Sequence, residues 1–234
     1  MSNLTLLTHL KGFRAVILCL ICAVIFISWP TIDLWVAGLF YDTQSQSFIF
    51  KHNPLIQFFY KLFAVIHIPL LLGLIVAGLL IRFNKLTLKH YKKWSITFLL
   101  TALILGPGIL VNTVLKDNSI GRARPVQVDN FSGEKPFTAA FVYSGACRKN
   151  CSFVSGHAAM GFYFMILGWL FSSARAFWAG CMVGVILGFT RIVQGGHFLS
   201  DVIFAFWAVY FVIWVLGARF GFRHPLSDQQ DSHV

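Results

Sequence analysis

Acidic residues are scarce in this chain: eight Asp and Glu among 234 residues, against nineteen Lys and Arg. Charged residues of both signs make up 12% of it, where soluble domains carry about one quarter. That shortage excludes a large solvated surface, and an apolar share of 57% needs lipid rather than a protein interior to cover it. Internal repeats and low-complexity tracts are also missing, which excludes a solenoid. No small-x-small cleavage site follows the first apolar run; WPTIDLW continues with bulky residues, so the run is expected to be a retained span. Of the five cysteines, Cys147 and Cys151 are too few and too closely spaced for a zinc-finger pattern. The other three, Cys19, Cys22 and Cys181, lie inside apolar runs as small hydrophobes. Cys147 and Cys151 flank a polar loop, either as free thiols or, if that loop faces an oxidising compartment, as a disulfide. The formal charge of +11 flanks apolar runs and builds no basic helix or aromatic platform, so nucleic acid is not an expected partner.

What is present is aromatic and apolar: 25 Phe, seven Trp and long hydrophobic runs. Six runs, at 14–31, 57–81, 94–115, 153–171, 176–193 and 201–218, compare with the ~20 residues of a spanning helix. The expected fold is all-α: a polytopic membrane protein of six transmembrane helices in one domain, residues 1–234, with a frayed tail at 225–234. Lys11, Arg14, Arg82, Lys85, Lys89, Lys92, Lys93, Arg175, Arg219 and Arg223 all fall on one side of such a bundle. The positive-inside bias assigns that side to the cytoplasm, along with both termini. Between the first two spans, TIDLWVAGLFYD mixes apolar and acidic residues and reads as a short helix lying in the outer interface. Gly106-Pro107-Gly108 is expected to loosen or kink the third span.

The outward loop 116–152 breaks the charge bias, with Lys116, Arg122, Arg124, Lys135, Arg148 and Lys149 against three acids. Long loops translocate despite charge, so a solvated basic loop and an anion site both remain open at this point. Three blocks at the outer face bear on the choice. In LKDNSIGRARP, Lys116, Arg122 and Arg124 supply a point charge and two guanidinium forks suited to phosphate. In VSGH, Ser155 and Gly156 open a helix whose free N–H groups attract anions, with His157 in its first turn. Ser152 or Ser155 could equally be a plain N-cap, with His157 simply interfacial. In TRIVQGGHFLSD, His197 and Asp201 stand four apart, a spacing that lets the carboxylate fix the ring tautomer. Asp201 could instead serve only the helix dipole. Gly195 and Gly196 allow a tight turn that brings Arg191 and His197 to one pocket.

Together the blocks supply what phosphoryl transfer to a histidine requires: cations for the non-bridging oxygens, an activated nucleophile and an acid for the leaving group. They resemble the signature of the type 2 phosphatidic acid phosphatase family, in order, spacing and placement over residues 94–218. Thr190-Arg191, five residues, His197, three residues, Asp201 departs from the pattern only by Thr for Ser. Val154-Ser155-Gly156-His157 has Val for Pro, and Lys116 precedes Arg124-Pro125 by seven residues instead of six. The resemblance implies a cofactor-free, metal-independent phosphatase with His197 as nucleophile, Asp201 orienting it and His157 as acid. Lys116, Arg124, Ser155, Gly156 and Arg191 would hold the phosphate, with Arg122 able to share the role of Lys116. CRKNCSFVSGH and IDLWVAGLFYD are further similar to bacterial lipid A phosphatases.

The expected partner is therefore a phosphorylated membrane lipid met at the periplasmic face of the inner membrane: lipid A, or else undecaprenyl pyrophosphate or phosphatidylglycerol phosphate. A phosphotransferase would differ only in its acceptor. A metal-dependent hydrolase would use His157, His197 and Asp201 as ligands, against the repulsion of the surrounding cations. A non-catalytic transporter would give intramembrane His67 a role, but its segment carries no carboxylate partner. Oligomeric state leaves no mark in the sequence.

Overall fold

The structure, a computed structural model, describes residues 3–83 and 94–227, with side chains from residue 13 onward. Lys85, Lys89, Lys92 and Lys93, the Lys11 side chain and tail residues 228–234 lie outside the described residues.

Helix α1 (Asn3–Ser28) meets α2 (Thr31–Gly38) at 82°, with Pro30 just before the turn. The second helix thus has the length and the break expected of an interfacial element. A two-residue hairpin, β1 (Tyr41–Asp42) with β2 (Ser47–Phe48), leads to α3 (Pro54–Val65). Asn53 caps that helix: its carboxamide oxygen accepts from Leu55 and Ile56 at 3.1 and 3.2 Å, and Pro54 occupies the first turn. After a break at Ile66 the chain continues as α4 (His67–Arg82). Neither α3 nor α4 buries a residue, as suits side chains that face lipid.

Helix α5 (Ser95–Leu103) passes into a π-wound stretch, Ile104–Asp117. Pro107 lies near its start, where it has no N–H to give and crowds the preceding turn. Of the loosening or kink expected at Gly106-Pro107-Gly108, the chain shows the loosening: its coil widens, and Asn112 Nδ2 donates back to the Pro107 carbonyl at 2.8 Å. Helix α6 (Gly156–Tyr163) is followed by α7 (Ile166–Leu170), then α8 (Ala174–Val193) and α9 (Leu199–Arg219).

Helix α6 is the hub. Gly161 faces Gly184 of α8, where an added Cβ would stand 2.7 Å from the opposing Cα. Such close backbone approach is how helices associate in a bilayer, where burial of apolar surface gives no advantage over lipid. Phe162, Met165, Trp169, Phe204 and Ile213 fill the space between α6, α7 and α9.

Among the described residues, four helices are long and apolar enough to cross a membrane: Pro54–Arg82, Ser95–Asp117, Ala174–Val193 and Leu199–Arg219. The bent α1–α2 pair makes a fifth if counted as one span, and Gly156–Leu170 is a shorter apolar helix. The protein is a multi-pass helical membrane protein, and its fourth apolar run from the sequence forms a helix that begins later and is broken at Phe164-Met165.

Candidate active site

The site forms where α6 and α9 begin and where α8 and the π-wound helix end. Ser155 caps α6, its hydroxyl oxygen accepting from Ala158 at 3.4 Å, while its own N–H donates to the Asp201 carbonyl at 3.0 Å. The cap and the site entrance are thus one feature. A Cβ on Gly156 would lie 2.7 Å from Asn112 Oδ1 and 3.2 Å from Lys116 Nζ. The π-wound helix therefore delivers both side chains to the N-terminus of α6, with the Lys116 ammonium buried against it. The seven residues between Lys116 and Arg124 form a loop that turns at Gly121, whose φ of +64° favours glycine.

At the end of α8, Gly195 takes a φ of +68°, and the Gly196 and His197 N–H groups donate to the Arg191 carbonyl at 2.9 and 3.3 Å. The tight turn expected of the Gly-Gly pair is present. Gly196 is also needed as glycine, because a Cβ there would run into the Arg191 guanidinium. That guanidinium bonds to Gln194 Oε1 and lies 4.5 Å over the ring of Tyr60.

His197 is wholly buried. Its Nδ1 bonds the Ser152 carbonyl at 2.7 Å, which can only accept, so Nδ1 carries the proton and Nε2 presents a lone pair. The expectation that Asp201 accepts from this ring is corrected by the distance: Asp201 Oδ2 lies 3.6 Å from Nδ1, longer than a hydrogen bond. Asp201 Oδ2 accepts instead from Ser152 Oγ at 2.5 Å and from the Phe198 N–H at 2.8 Å, so the carboxylate both caps α9 and anchors the residue that orients the ring. Burial pushes the His197 imidazole down to about 3, outweighing the pull of neighbouring Asp201 toward the charged form. The ring is neutral at physiological pH, as a nucleophile must be.

His157 stacks on Tyr60, with ring centroids 4.8 Å apart and planes 21° from parallel. Among the described residues, neither His157 Nε2 nor His197 Nε2 has a hydrogen-bond partner, although both atoms are buried. Arg191 Nε shares that condition. Two unengaged imidazole nitrogens therefore stand beside three cations, Lys116, Arg124 and Arg191, whose charges oppose one another. An anion would balance the three cations and accept from Arg191 Nε, leaving the His197 Nε2 lone pair facing it without a proton between them.

Arg122 and Arg124 part company. The Arg124 guanidinium donates to the Asn150 carbonyl at 2.8 Å, and the Asn150 N–H in turn donates to Asp117 at 2.7 Å. It sits beside a loop closed by a disulfide between Cys147 and Cys151. Arg122, expected as a phosphate ligand, is turned the other way and fully buried. Its Nη1 donates to Asp201 Oδ1 and Ser200 Oγ, its Nη2 to Asp33 Oδ2, all at 2.8 Å, and its Nε to the Thr138 carbonyl at 2.9 Å. The rings of Phe198 and Phe137 cover its faces. Four of its five N–H groups are thus taken, two of them by carboxylates.

The metal set of His157, His197 and Asp201 is not assembled. Both Asp201 oxygens are committed to protein donors, and no group of three metal-ligating side chains comes together among the described residues. Sequence reasoning missed Asp33, Tyr60, Asn112, Ser152, Gln194 and Ser200. Only the helix-spaced Asn112, one turn before Lys116 on the same span, left a usable trace.

Gly156→Ala tests the packing of Lys116 against α6. The added methyl meets the tips of two flexible side chains, so the fold tolerates it. Displacing Lys116 by about 1 Å is expected to lower kcat/KM about 10–100-fold, with an unchanged thermal midpoint by scanning fluorimetry.

The PAP2 superfamily profile matches residues 95–224 of the chain. A lipid A 4'-phosphatase of Francisella tularensis subsp. novicida is 37% identical over 213 residues, covering 86% of this chain and 92% of that protein. A lipid A 4'-phosphatase of Rhizobium leguminosarum is 41% identical over 107 residues, 44% of this chain and 46% of its own. A lipid A 1-phosphatase of Rhizobium etli is 35% identical over 114 residues, 48% of this chain and 45% of its own. No solved structure matches. All three blocks fall inside the matched region, which covers more than half of the chain, and a relative aligns along most of its length: the protein belongs to the PAP2 superfamily and is a membrane phosphatase.

Proposed function

We propose that this protein removes a phosphate from lipid A at the periplasmic face of the inner membrane, through a phosphohistidine on His197. The observation that carries the reading is the pair of buried, unpartnered Nε2 atoms on His157 and His197 beside Lys116, Arg124 and Arg191. The phosphate is held by those three cations and by the N–H groups at the start of α6, around Ser155 and Gly156. His197 Nε2 attacks phosphorus and the bond from phosphorus to the lipid oxygen breaks. His157, held neutral before substrate binds by burial beside Arg191 and Lys116, takes up a proton as the negative charge of the phosphate enters and gives it to that oxygen. Water then attacks the phosphohistidine, the P–N bond breaks, and His157 takes back a proton as inorganic phosphate leaves.

Lipid A is preferred because the relatives described above carry that substrate in their names, and a relative aligned along most of the chain is a 4'-phosphatase. The periplasmic placement is supported by the Lys and Arg bias of the opposite loops and by the disulfide in the loop beside Arg124, which suits an oxidising compartment.

Purified protein given lipid A, undecaprenyl pyrophosphate and phosphatidylglycerol phosphate is expected to release phosphate fastest from lipid A. Mass spectrometry of the product is expected to show loss at the 4' position. Excess chelator is expected to leave the rate within twofold; abolition by chelator rules out the phosphohistidine route. Appearance of the phosphate on an added acceptor lipid would turn the assignment to a phosphotransferase.

A further inference from the structure

Asp33 lies on α2, outside the region matched by the family profile and far in sequence from the three blocks. It is fully buried. Its Oδ1 accepts from the Ser200 N–H at 2.9 Å, and its Oδ2 accepts from Ser200 Oγ at 2.5 Å and from Arg122 Nη2 at 2.8 Å. Arg122 reaches Asp201 with its other terminal nitrogen. A helix lying across the outer end of the bundle thus enters the carboxylate network behind the nucleophile.

We propose that Asp33 is a positioning residue for the reaction, acting through Arg122 and Ser200 to hold the Asp201 carboxylate, and its negative charge, behind His197. The argument is one of charge. Attack by His197 Nε2 on phosphorus leaves a positive charge on the imidazole, which needs a negative partner in a water-poor site. Arg122 alone would neutralise Asp201. With Asp33 as a second carboxylate on the same guanidinium, the three-residue cluster keeps a formal charge of one minus. Geometry adds to this: tied to Arg122 through Oδ1, Asp201 keeps Oδ2 on the side of Ser152 and the ring. The other charges that face His197 are Lys116 and Arg124, both positive, so no other group nearby supplies the balance. Since α2 is set against lipid head groups in this reading, the same contact ties the nucleophile to the membrane surface.

This inference rests on His197 as the nucleophile, so three variants are measured together on lipid A in mixed micelles. Asp33→Asn keeps the shape but removes the charge, and is expected to lower kcat 10–100-fold with KM within twofold and a thermal midpoint near wild type. Ser200→Ala, a small buried change that cuts the hydroxyl link and leaves every charge in place, is expected to lower kcat a few-fold with KM unchanged. Wild-type kcat in folded Asp33→Asn overturns the proposal, as does a loss of rate that only tracks the folded fraction. If Asp33→Asn does not fold, Ser200→Ala decides: wild-type kcat there overturns it. His197→Ala separates the two readings. Retained release in that variant removes the nucleophile assignment whatever Asp33 does, whereas a dead His197→Ala beside an unaffected Asp33→Asn removes this proposal alone.

Discussion

Replacing His197 by Gln is expected to lower kcat for phosphate release by a factor on the order of 10,000 to 1,000,000, the usual cost of deleting a covalent nucleophile. The variant is expected to remain folded, since Gln can still donate toward the Ser152 carbonyl that now receives the ring N–H. Substrate affinity is expected to change little, because in the proposed mechanism Lys116, Arg124 and Arg191 hold the phosphate independently of the ring. The phosphoenzyme trapped by acid-free quenching of the wild type should be missing. A simple weakening of binding would instead raise KM and leave a trappable intermediate. The pH dependence sharpens the same test. A histidine with the ordinary pKa of about 6.5 loses more than nine-tenths of its nucleophilic form at about pH 5. Burial holds His197 at about 3, so its neutral form persists as pH falls through that range. The rate of phosphoenzyme formation in a single turnover is therefore expected to fall much less than tenfold between about pH 7 and about pH 5.

Much of this site could be read before any coordinates, because its residues sit at fixed intervals along single helices or at helix mouths. Ser155, Gly156 and His157 are consecutive, and Arg191, Gly195, Gly196 and His197 share one turn, so local geometry alone brings them together. The short helix after the first span was legible for a similar reason, an apolar stretch directly after Pro30, but Tyr41 and Asp42, read as part of the same helix, form strand β1 instead. What could not be read is the pairing across the chain. Asp33 and Ser200 are 167 positions apart, and Ser152 and His197 are 45 apart. No periodicity relates such positions; only the packed bundle does. Arg122 shows the limit most clearly. It lies two residues from Arg124 in a loop without regular spacing, and nothing local distinguishes a phosphate ligand from a residue already claimed by two carboxylates. The count of six spans is not confirmed, for a different reason: among the described residues four helices, or five with the bent pair, are long and apolar enough. Hydropathy sees an apolar run at 153–171, but the first residues of that run are spent on the loop that carries Ser152 and Val154, leaving Gly156–Leu170 for the helix.

His157→Ala carries the second large effect, and the identity of the leaving group decides how it is read. With lipid A the departing oxygen is a sugar alkoxide, a poor leaving group that needs a proton as the P–O bond breaks. Loss of a positioned acid is expected to slow phosphoenzyme formation about 100–10,000-fold. An aryl phosphate such as p-nitrophenyl phosphate leaves as a stabilised phenolate and needs no acid. The burst of nitrophenol from His157→Ala is therefore expected to stay within about tenfold of wild type, while the later steady state is slow because water still lacks its base. A structural role for His157 predicts a different pattern. Its ring stacks on Tyr60, and that ring also faces the Arg191 guanidinium. If removal of His157 merely let Tyr60 and Arg191 shift, phosphate binding would weaken for both substrates and both bursts would fall together. Tyr60→Leu supplies the control, since it removes the stack and the cation–π contact but leaves the imidazole in place. It is expected to affect the two substrates alike. A selective loss with lipid A in His157→Ala, set against an even loss in Tyr60→Leu, separates the proton from the packing.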